Sequence, residues 1–372
     1  MPVVRVPVWV IRGGTSKGVF FRAEHVPSPG PERDALVLGV MGSGDPRQID
    51  GLGGADVLTS KIAIVGPSTR DDADVDYTFG QVGVERLAIS WAENCGNISS
   101  AVGVFAILQG LVEPGAFETM VRVHNTNTGK LLLLHVPMAD GEPRVEGDFA
   151  IAGVPGTGAE IRLDFSGTAG AMTGKILPTG APSDQLFVPE LDRSITVSIV
   201  DVANAAVFFH AADVGLAGTE GPAEFTPEIL DRYLFIQLAA ANLIGMDGKD
   251  GFPRPVAVAE PASYVDYMTG QTIAADAVDM LGRRVILPPP RLHKAFAATG
   301  GVCTAVASRI EGTVVHQVTR QSADDTFRLG HPSGVFPLRV VLRNGVVHEA
   351  SFSRTARLLF EGTALVREER GQ

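Results

Sequence analysis

Three short stretches in the first half of the chain recur, in the same order, in the second half. Val19-Phe-Phe-Arg-Ala-Glu-His-Val26 is matched by Val207-Phe-Phe-His-Ala-Ala-Asp-Val214, and Lys61-Ile-Ala-Ile-Val-Gly-Pro67 by Pro255-Val-Ala-Val-Ala-Glu-Pro261. Cys95-Gly96 with Ala101-Val102 answers Thr299-Gly300 with Ala305-Val306. The copies lie about 190 to 205 residues apart, so the repeated unit is a whole domain, and a chain of 372 residues suits two hydrophobic cores better than one. Two similar halves facing a shared cleft is the expected outcome. The chemistry then resides where the copies differ: Lys61 and Cys95 stand in the first half, with Pro255 and Thr299 aligned to them in the second.

The pattern within each half predicts an α+β fold. Residues 3–11 run apolar and alternate into the polar turn Arg12-Gly-Gly-Thr-Ser-Lys-Gly18, and Val19-Phe20-Phe21 leaves it, which reads as a hairpin. Residues 31–41, with proline in the first turn, read as a helix. Strands are expected at 59–65, 74–82, 119–125, 130–137 and 159–164. Residues 98–108 are apolar nearly all round, as in a helix enclosed by strands. The Gly/Pro/Ser/Thr-rich stretch 166–184 is the linker candidate, dividing the chain into domains 1–186 and 187–372, with the last strand free to cross back to the first domain. The second half is expected to place strands at 195–200, 254–259, 313–319, 336–342 and 346–352, and helices at 226–244, 274–282 and 301–310.

The balance of charge excludes some functions. A formal net charge of −11 with no run of Lys and Arg argues against a nucleic-acid partner. An anionic ligand would need local donors. No apolar run approaches the ~18 residues of a membrane helix, and Met1-Pro-Val-Val-Arg5 leads straight into a strand pattern rather than a secretion signal. A cytoplasmic protein without a structural disulfide is expected from this and from its two cysteines, Cys95 and Cys303. The eight histidines show no metal-ligand spacing, so no metal or other cofactor is expected.

Cys95 directly precedes the buried helix, where unsatisfied N–H groups and the helix dipole favour negative charge. It can trade a proton there, or the same N–H groups of Gly96 and Asn97 can hold a carboxylate; a small buried apolar residue is the plain alternative. Lys61 begins an apolar strand after Ser60. If it faces the cleft it is a candidate base, since loss of solvation favours the neutral amine; a solvent-facing strand lysine is the plain alternative. Arg12–Gly18 lacks the spacing of a phosphate loop. Ser16 aligns with Asn204, so both hairpin tips present a small polar group suited to a carboxylate. His331, in Gly330-His-Pro-Ser-Gly334, is a further candidate for contact with an anion.

Seven segments together resemble the PrpF proteins, the 2-methylaconitate cis-trans isomerases: Arg12–Phe21, Gln48–Gly54, Ser60-Lys61, Asp74–Tyr77, Phe79–Val82, Asn94–Asn97 and Gly330–Gly334. The resemblance implies the diaminopimelate-epimerase-like fold, with two pseudosymmetric domains, each a mostly antiparallel, barrel-like sheet around a central helix. It implies a lysine–cysteine proton-transfer pair matching Lys61 and Cys95. In the epimerases two cysteines serve instead, and Thr299 stands at the second cysteine position while Cys303 falls inside the helix.

The expected activity is cofactor-independent isomerisation of an unsaturated tricarboxylate or dicarboxylate, such as 2-methylaconitate, 4-oxalomesaconate or 3-methylitaconate. The expected substrate contacts are Ser16, Ser60, Asn94, Gly96, Asn97, Thr299, Gly300, His331 and Ser333. An amino-acid epimerase, disfavoured by Thr299, and a non-catalytic accessory protein of an aconitase-like enzyme are the competing readings. A homodimer and a functional pairing with an aconitase-like dehydratase are compatible with the chain.

Overall fold

The computed structural model describes residues 3–91, 94–151 and 153–367. The chain forms two compact units, Met1–Asp164 with Ser353–Gln372, and Phe165–Phe352. The sequence places the division between 186 and 187, after the linker candidate 166–184; in the structure that segment belongs to the second unit. The Gly170 N–H there donates to Asp201 O, and the Met172 N–H to the Asp201 carboxylate at Oδ2.

In the first unit β1 (Val3–Gly13) and β2 (Ser16–Arg22) form the expected hairpin. The helix α1 (Pro31–Met41) follows, with proline at its start and Gly42 closing it in the left-handed conformation. Strands β3 (Lys61–Pro67) and β4 (Val75–Val82) precede the helix α2 (Gly96–Leu108), and β5 (Glu118–Asn125), β6 (Lys130–Ala139) and β7 (Ile161–Asp164) complete the run. The C-terminal strand Ala356–Arg367 returns to pair with β1 along its whole length. The sheet order is therefore the C-terminal strand, then β1 to β7. Its pairings are antiparallel except β2–β3 and β4–β5, which are parallel.

The second unit repeats this order strand for strand. Strands β8 (Asp184–Val188), β9 (Arg193–Val202) and β10 (Asn204–His210) are followed by the helix α3 (Pro227–Leu243) and by β11 (Arg254–Ala259) and β12 (Met280–Ile286). Helices α4 (Ala298–Ala307) and α5 (Val314–Val318) then lead to β13 (Thr326–His331), β14 (Gly334–Arg343) and β15 (Val346–Arg354). The neighbours again pair antiparallel except β10–β11 and β12–β13, which are parallel. The C-terminal strand in the first unit takes the slot that β8 fills in the second. Duplication thus accounts for the strand's return.

Each sheet wraps one helix. Residues Ile98–Ile107 of α2 are all buried, as are Gly300–Ala307 of α4. An element buried on every side has no polar face to show, which is why both helices read as apolar throughout. Each large aliphatic or aromatic side chain so enclosed contributes on the order of 1.5–3 kcal/mol.

Two expected elements differ. Residues 274–282 are not a helix: a short 3₁₀ turn, Ala275–Ala277, leads into β12, whose residues Met280–Val285 are buried on both faces. Burial on both faces erases the alternation that marks a strand, and the preceding alanines supplied helix propensity. Residues 313–319 are not a strand: Thr313 caps α5 by accepting from His316 N at 3.0 Å. Val314, Val315 and Val318 share one buried face of that turn, so packing overrides the β propensity of valine.

Candidate active site

The first unit assembles its polar groups around the β1–β2 hairpin tip. Gly13 approaches α2 so closely that a Cβ there would lie 2.2 Å from Asn97 O, and Gly14 has a φ of +51°. Only glycine fits that approach. Asn97 Nδ2 donates to Thr15 Oγ1 at 3.0 Å, fastening the tip to the first turn of the helix. Ser16 opens β2, is 2% exposed, and its Oγ has no hydrogen-bond partner among the described residues.

Lys61 opens β3 and is buried, contrary to the solvent-facing alternative. Its Nζ donates to Gln81 Oε1 across the β3–β4 pair and lies 5.4 Å from the centre of the Phe79 ring. Gln81 is held in turn by donating to Ser60 O at 3.0 Å and Val57 O at 3.2 Å. Ser60 Oγ is fully buried and donates to Gln48 Oε1 at 2.7 Å, which ties the residue before Lys61 to the Gln48–Gly54 loop. Strand β2 joins the two ends of the site, because a Cβ on Gly18 would lie 3.1 Å from both Lys61 O and the Ile98 side chain in the first turn of α2.

Cys95 is the N-cap of α2, half-buried, with its carbonyl accepting from Ser99 N at 2.8 Å. Asn94 Oδ1 accepts from Ser99 Oγ at 3.0 Å. Glu93, two residues before Cys95, lies outside the described residues. Two further side chains lie near the sulfur. Arg354 donates from Nε to Asn97 Oδ1 at 3.0 Å; burial lowers its guanidinium to about 10, and the nearby Cys95 opposes that shift. Tyr77 is fully buried beside Cys95 and Ser99, and burial pushes its phenol well above its ordinary range.

The second unit builds the equivalent corner with different groups. Asn204 opens β10 as Ser16 opens β2, and Asn204 Nδ2 donates to Thr299 Oγ1 at 2.9 Å, mirroring the tie between Asn97 and Thr15. Thr299 and Gly300 lie in the first turn of α4; Cys303 is buried within that helix, and its Sγ lies 3.3 Å from Val200 O. His331 ends β13 and is buried, and Ser333 N donates to its Nδ1 at 3.3 Å.

The strand register changes one detail of the repeat. Val19 pairs with Ile62 and Val207 with Pro255, so Pro255 is equivalent to Ile62, and Lys61 is equivalent to Arg254. Arg254 donates to Leu287 O at 2.7 Å and covers the Phe252 ring. A guanidinium keeps its proton at any physiological pH, so the position holds a candidate base in one unit only.

The match of the PrpF protein family model over residues 3–367 decides the relationship. The chain belongs to the PrpF family. It is 46% identical to the 3-methylitaconate isomerase of Eubacterium barkeri, covering 98% of this chain and 97% of the relative. The 4-oxalomesaconate tautomerase of Pseudomonas putida is 39% identical (98% and 97% covered), and the 2-methyl-aconitate isomerase of Shewanella oneidensis 37% (97% and 96%). A crystal structure of a methylitaconate-delta-isomerase superposes with a TM-score of 0.90 at 45% identity, covering 98% of this chain and 96% of that one. The PrpF relationship and the two strand-for-strand units bear out the diaminopimelate-epimerase-like fold.

One PrpF-chain histidine yields a stability prediction. His293 has a buried Nδ1 without a hydrogen-bond partner among the described residues, and burial, reinforced by Arg284, lowers it from 6.5 to about 4. Between those values the unfolded chain takes up a proton that the folded chain refuses. Stability is therefore full above pH 6.5 and declines by roughly 2–3 kcal/mol as pH falls to 4. Urea titrations at several pH values should show that slope shrinking in His293→Gln; an unchanged slope would assign it to other groups.

Proposed function

We propose that this protein is a cofactor-independent proton-transfer isomerase of an unsaturated, branched polycarboxylate, with Lys61 and Cys95 as its proton-transferring pair. The observation that carries the reading is the first-unit site: a buried, strand-anchored lysine and a half-buried cysteine at a helix N-terminus, joined through one hairpin.

Lys61, as the free amine, takes a proton from a carbon that is both next to a carboxylate and allylic to the alkene. The electron pair left behind spreads over the alkene and into the carboxylate, giving a dienolate with reduced double-bond order at the old alkene. Rotation there followed by reprotonation changes cis to trans. Reprotonation at the far carbon moves the double bond instead.

The N–H groups of Gly96 and Asn97, with Arg354 behind them, meet the developing charge. Ser16, with its free hydroxyl, and Asn94 line the same region. Ser60 acts by fixing the start of β3. The expected contacts Thr299, Gly300, His331 and Ser333 belong to the second unit, at the start of α4 and the end of β13.

Within the substrate class, 2-methylaconitate is the first reading, which would place the enzyme in propionate breakdown by a cytoplasmic methylcitrate route. The 46% identity to a 3-methylitaconate isomerase, against 37% to a 2-methyl-aconitate isomerase, favours an allylic double-bond shift as the second. The test is proton NMR in deuterated water with a panel of 2-methyl-trans-aconitate, trans-aconitate, 3-methylitaconate and 4-oxalomesaconate. One of these should isomerise with deuterium entering the allylic carbon. Absence of exchange and isomerisation across the panel would overturn the function.

A further inference from the structure

Gln81 stands opposite Lys61 in the β3–β4 pair, wholly within the first unit, and the polar contacts of its side chain leave its amide one orientation. The Nε2 hydrogens are directed at backbone carbonyls, Ser60 O at 3.0 Å and Val57 O at 3.2 Å, with Val82 O at 3.5 Å beyond them. A carbonyl oxygen turned toward those acceptors would be repelled, so Oε1 takes the opposite side, where Lys61 Nζ donates to it. Ser60 O is itself fixed, because it also accepts from Val82 N at 3.0 Å. The clamp therefore runs from the sheet, through the amide, to the amine.

The rest of the surroundings narrow the amine's choices further. Phe79, two residues before Gln81 on β4, has its ring centre 5.4 Å from Nζ. On the other side Gly18 of β2 stands against the Lys61 backbone. A lysine side chain is otherwise rich in rotamers, and each conformer that points elsewhere takes the lone pair off the reacting carbon.

The acceptor is also uncharged. An opposite charge within about 4–6 Å would favour the ammonium form and so remove the base. An amide oxygen takes one N–H of either form and leaves the lone pair of the free amine open. Continuing the β11–β12 register from Val256 opposite Arg284 by two residues on each strand sets Ile286 opposite Arg254, the counterpart of Lys61. The amide accompanies the lysine and is missing where the lysine is missing.

We propose that Gln81 is the positioning residue for the base: through an uncharged acceptor it aims the Lys61 amine without holding it as an ammonium ion. The proposal deepens the functional reading above and rests on it for the reaction. Gln81 acts through Lys61 and not on the substrate.

The experiment sets Gln81→Met beside wild type in the full-length protein. Methionine is similar in length and volume, and Ser60 O keeps its bond from Val82 N, so the melting temperature should stay within a few degrees. With 3-methylitaconate, or the panel member that wild type turns over fastest, kcat should fall about 30-fold or more with KM within about threefold, because substrate still binds but meets an unaimed amine. In protein carrying carbon-13 lysine, the two Hε protons of Lys61, assigned by their loss in Lys61→Met, should have separate NMR shifts in wild type and converge in Gln81→Met. That signal needs no turnover. Gln81→Glu keeps the acceptor and adds a charge; it should lower kcat by a similar factor with the Hε pair still separate, and it carries the test if Gln81→Met does not fold.

A Gln81→Met kcat within about threefold of wild type, a loss that sits in KM or accompanies a lowered melting temperature, an unchanged Hε pair, or full turnover in Gln81→Glu would each overturn the proposal. The two readings fail separately. Convergence of the Hε shifts with no isomerisation of any panel member by wild type sinks the isomerase and leaves the clamp on the amine; isomerisation with kcat unaltered in Gln81→Met does the reverse.

Discussion

Lys61→Ala is expected to lower turnover by about 10³-fold or more, the upper part of the range that a positioned general base contributes. The residue is 7% exposed and opens a strand flanked on both sides by paired neighbours, β2 in parallel and β4 antiparallel. Its backbone is therefore fixed by the sheet whatever side chain it carries, and the substitution tests the amine. Gln81 Oε1 loses its donor in the variant, and the space left beside Phe79 costs some stability. Lys61→Met keeps the volume and separates that cost from the chemistry. Both variants should melt within a few degrees of each other and lack activity alike in the NMR assay. Activity within tenfold of wild type in either would remove Lys61 from the role of base.

How far the sequence reached follows from where each signal resides. The hairpins, α1, α2, α3 and α4 were legible because their patterns are local: turn residues between alternating strands, proline at a first helical turn, an apolar run of helical length. The internal repeat supplied the two-unit architecture, and the identical order of parallel and antiparallel pairings bears it out. Local pattern failed at 274–282 and 313–319, where burial on both faces and a capped short helix outweighed propensity.

The repeat also misplaced Lys61 by one residue, since a one-residue slip costs little in sequence but flips every side chain of a strand. Gln81, Arg354 and Arg284 could not be found this way. Gln81 meets Lys61 only through the β3–β4 register, Arg354 reaches Asn97 from 257 residues away, and Arg284 stands out only by its burial, with Nε and Nη1 unpartnered among the described residues. The proximity of Arg354 to Cys95 depends on a C-terminal segment returning to the first unit, and the only signal of that return is the odd strand beyond the repeat.

Cys95→Ser is expected to slow isomerisation by about 10²-fold or more while leaving exchange of the substrate's allylic proton with solvent nearly intact. Serine is among the best N-cap residues, so α2 keeps its start and the Gly96 and Asn97 N–H groups keep their direction. What is lost is a thiol, a far better proton carrier near neutral pH than an alcohol. If Lys61 removes the first proton and Cys95 returns one at the second carbon, the variant still forms the dienolate. That species then collapses back to substrate carrying solvent deuterium. Washout without product is the signature, read by NMR in deuterated water. Isomerisation within tenfold of wild type would mean that Lys61 delivers both protons. Equal loss of exchange and isomerisation, in a variant that melts normally, would make Cys95 the base and would move Lys61 to holding a carboxylate. Arg354 is tied to Asn97 in the first turn of α2, so its charge stays beside Cys95 in wild type and variant alike. The comparison therefore changes the proton carrier while the charge around it stays in place.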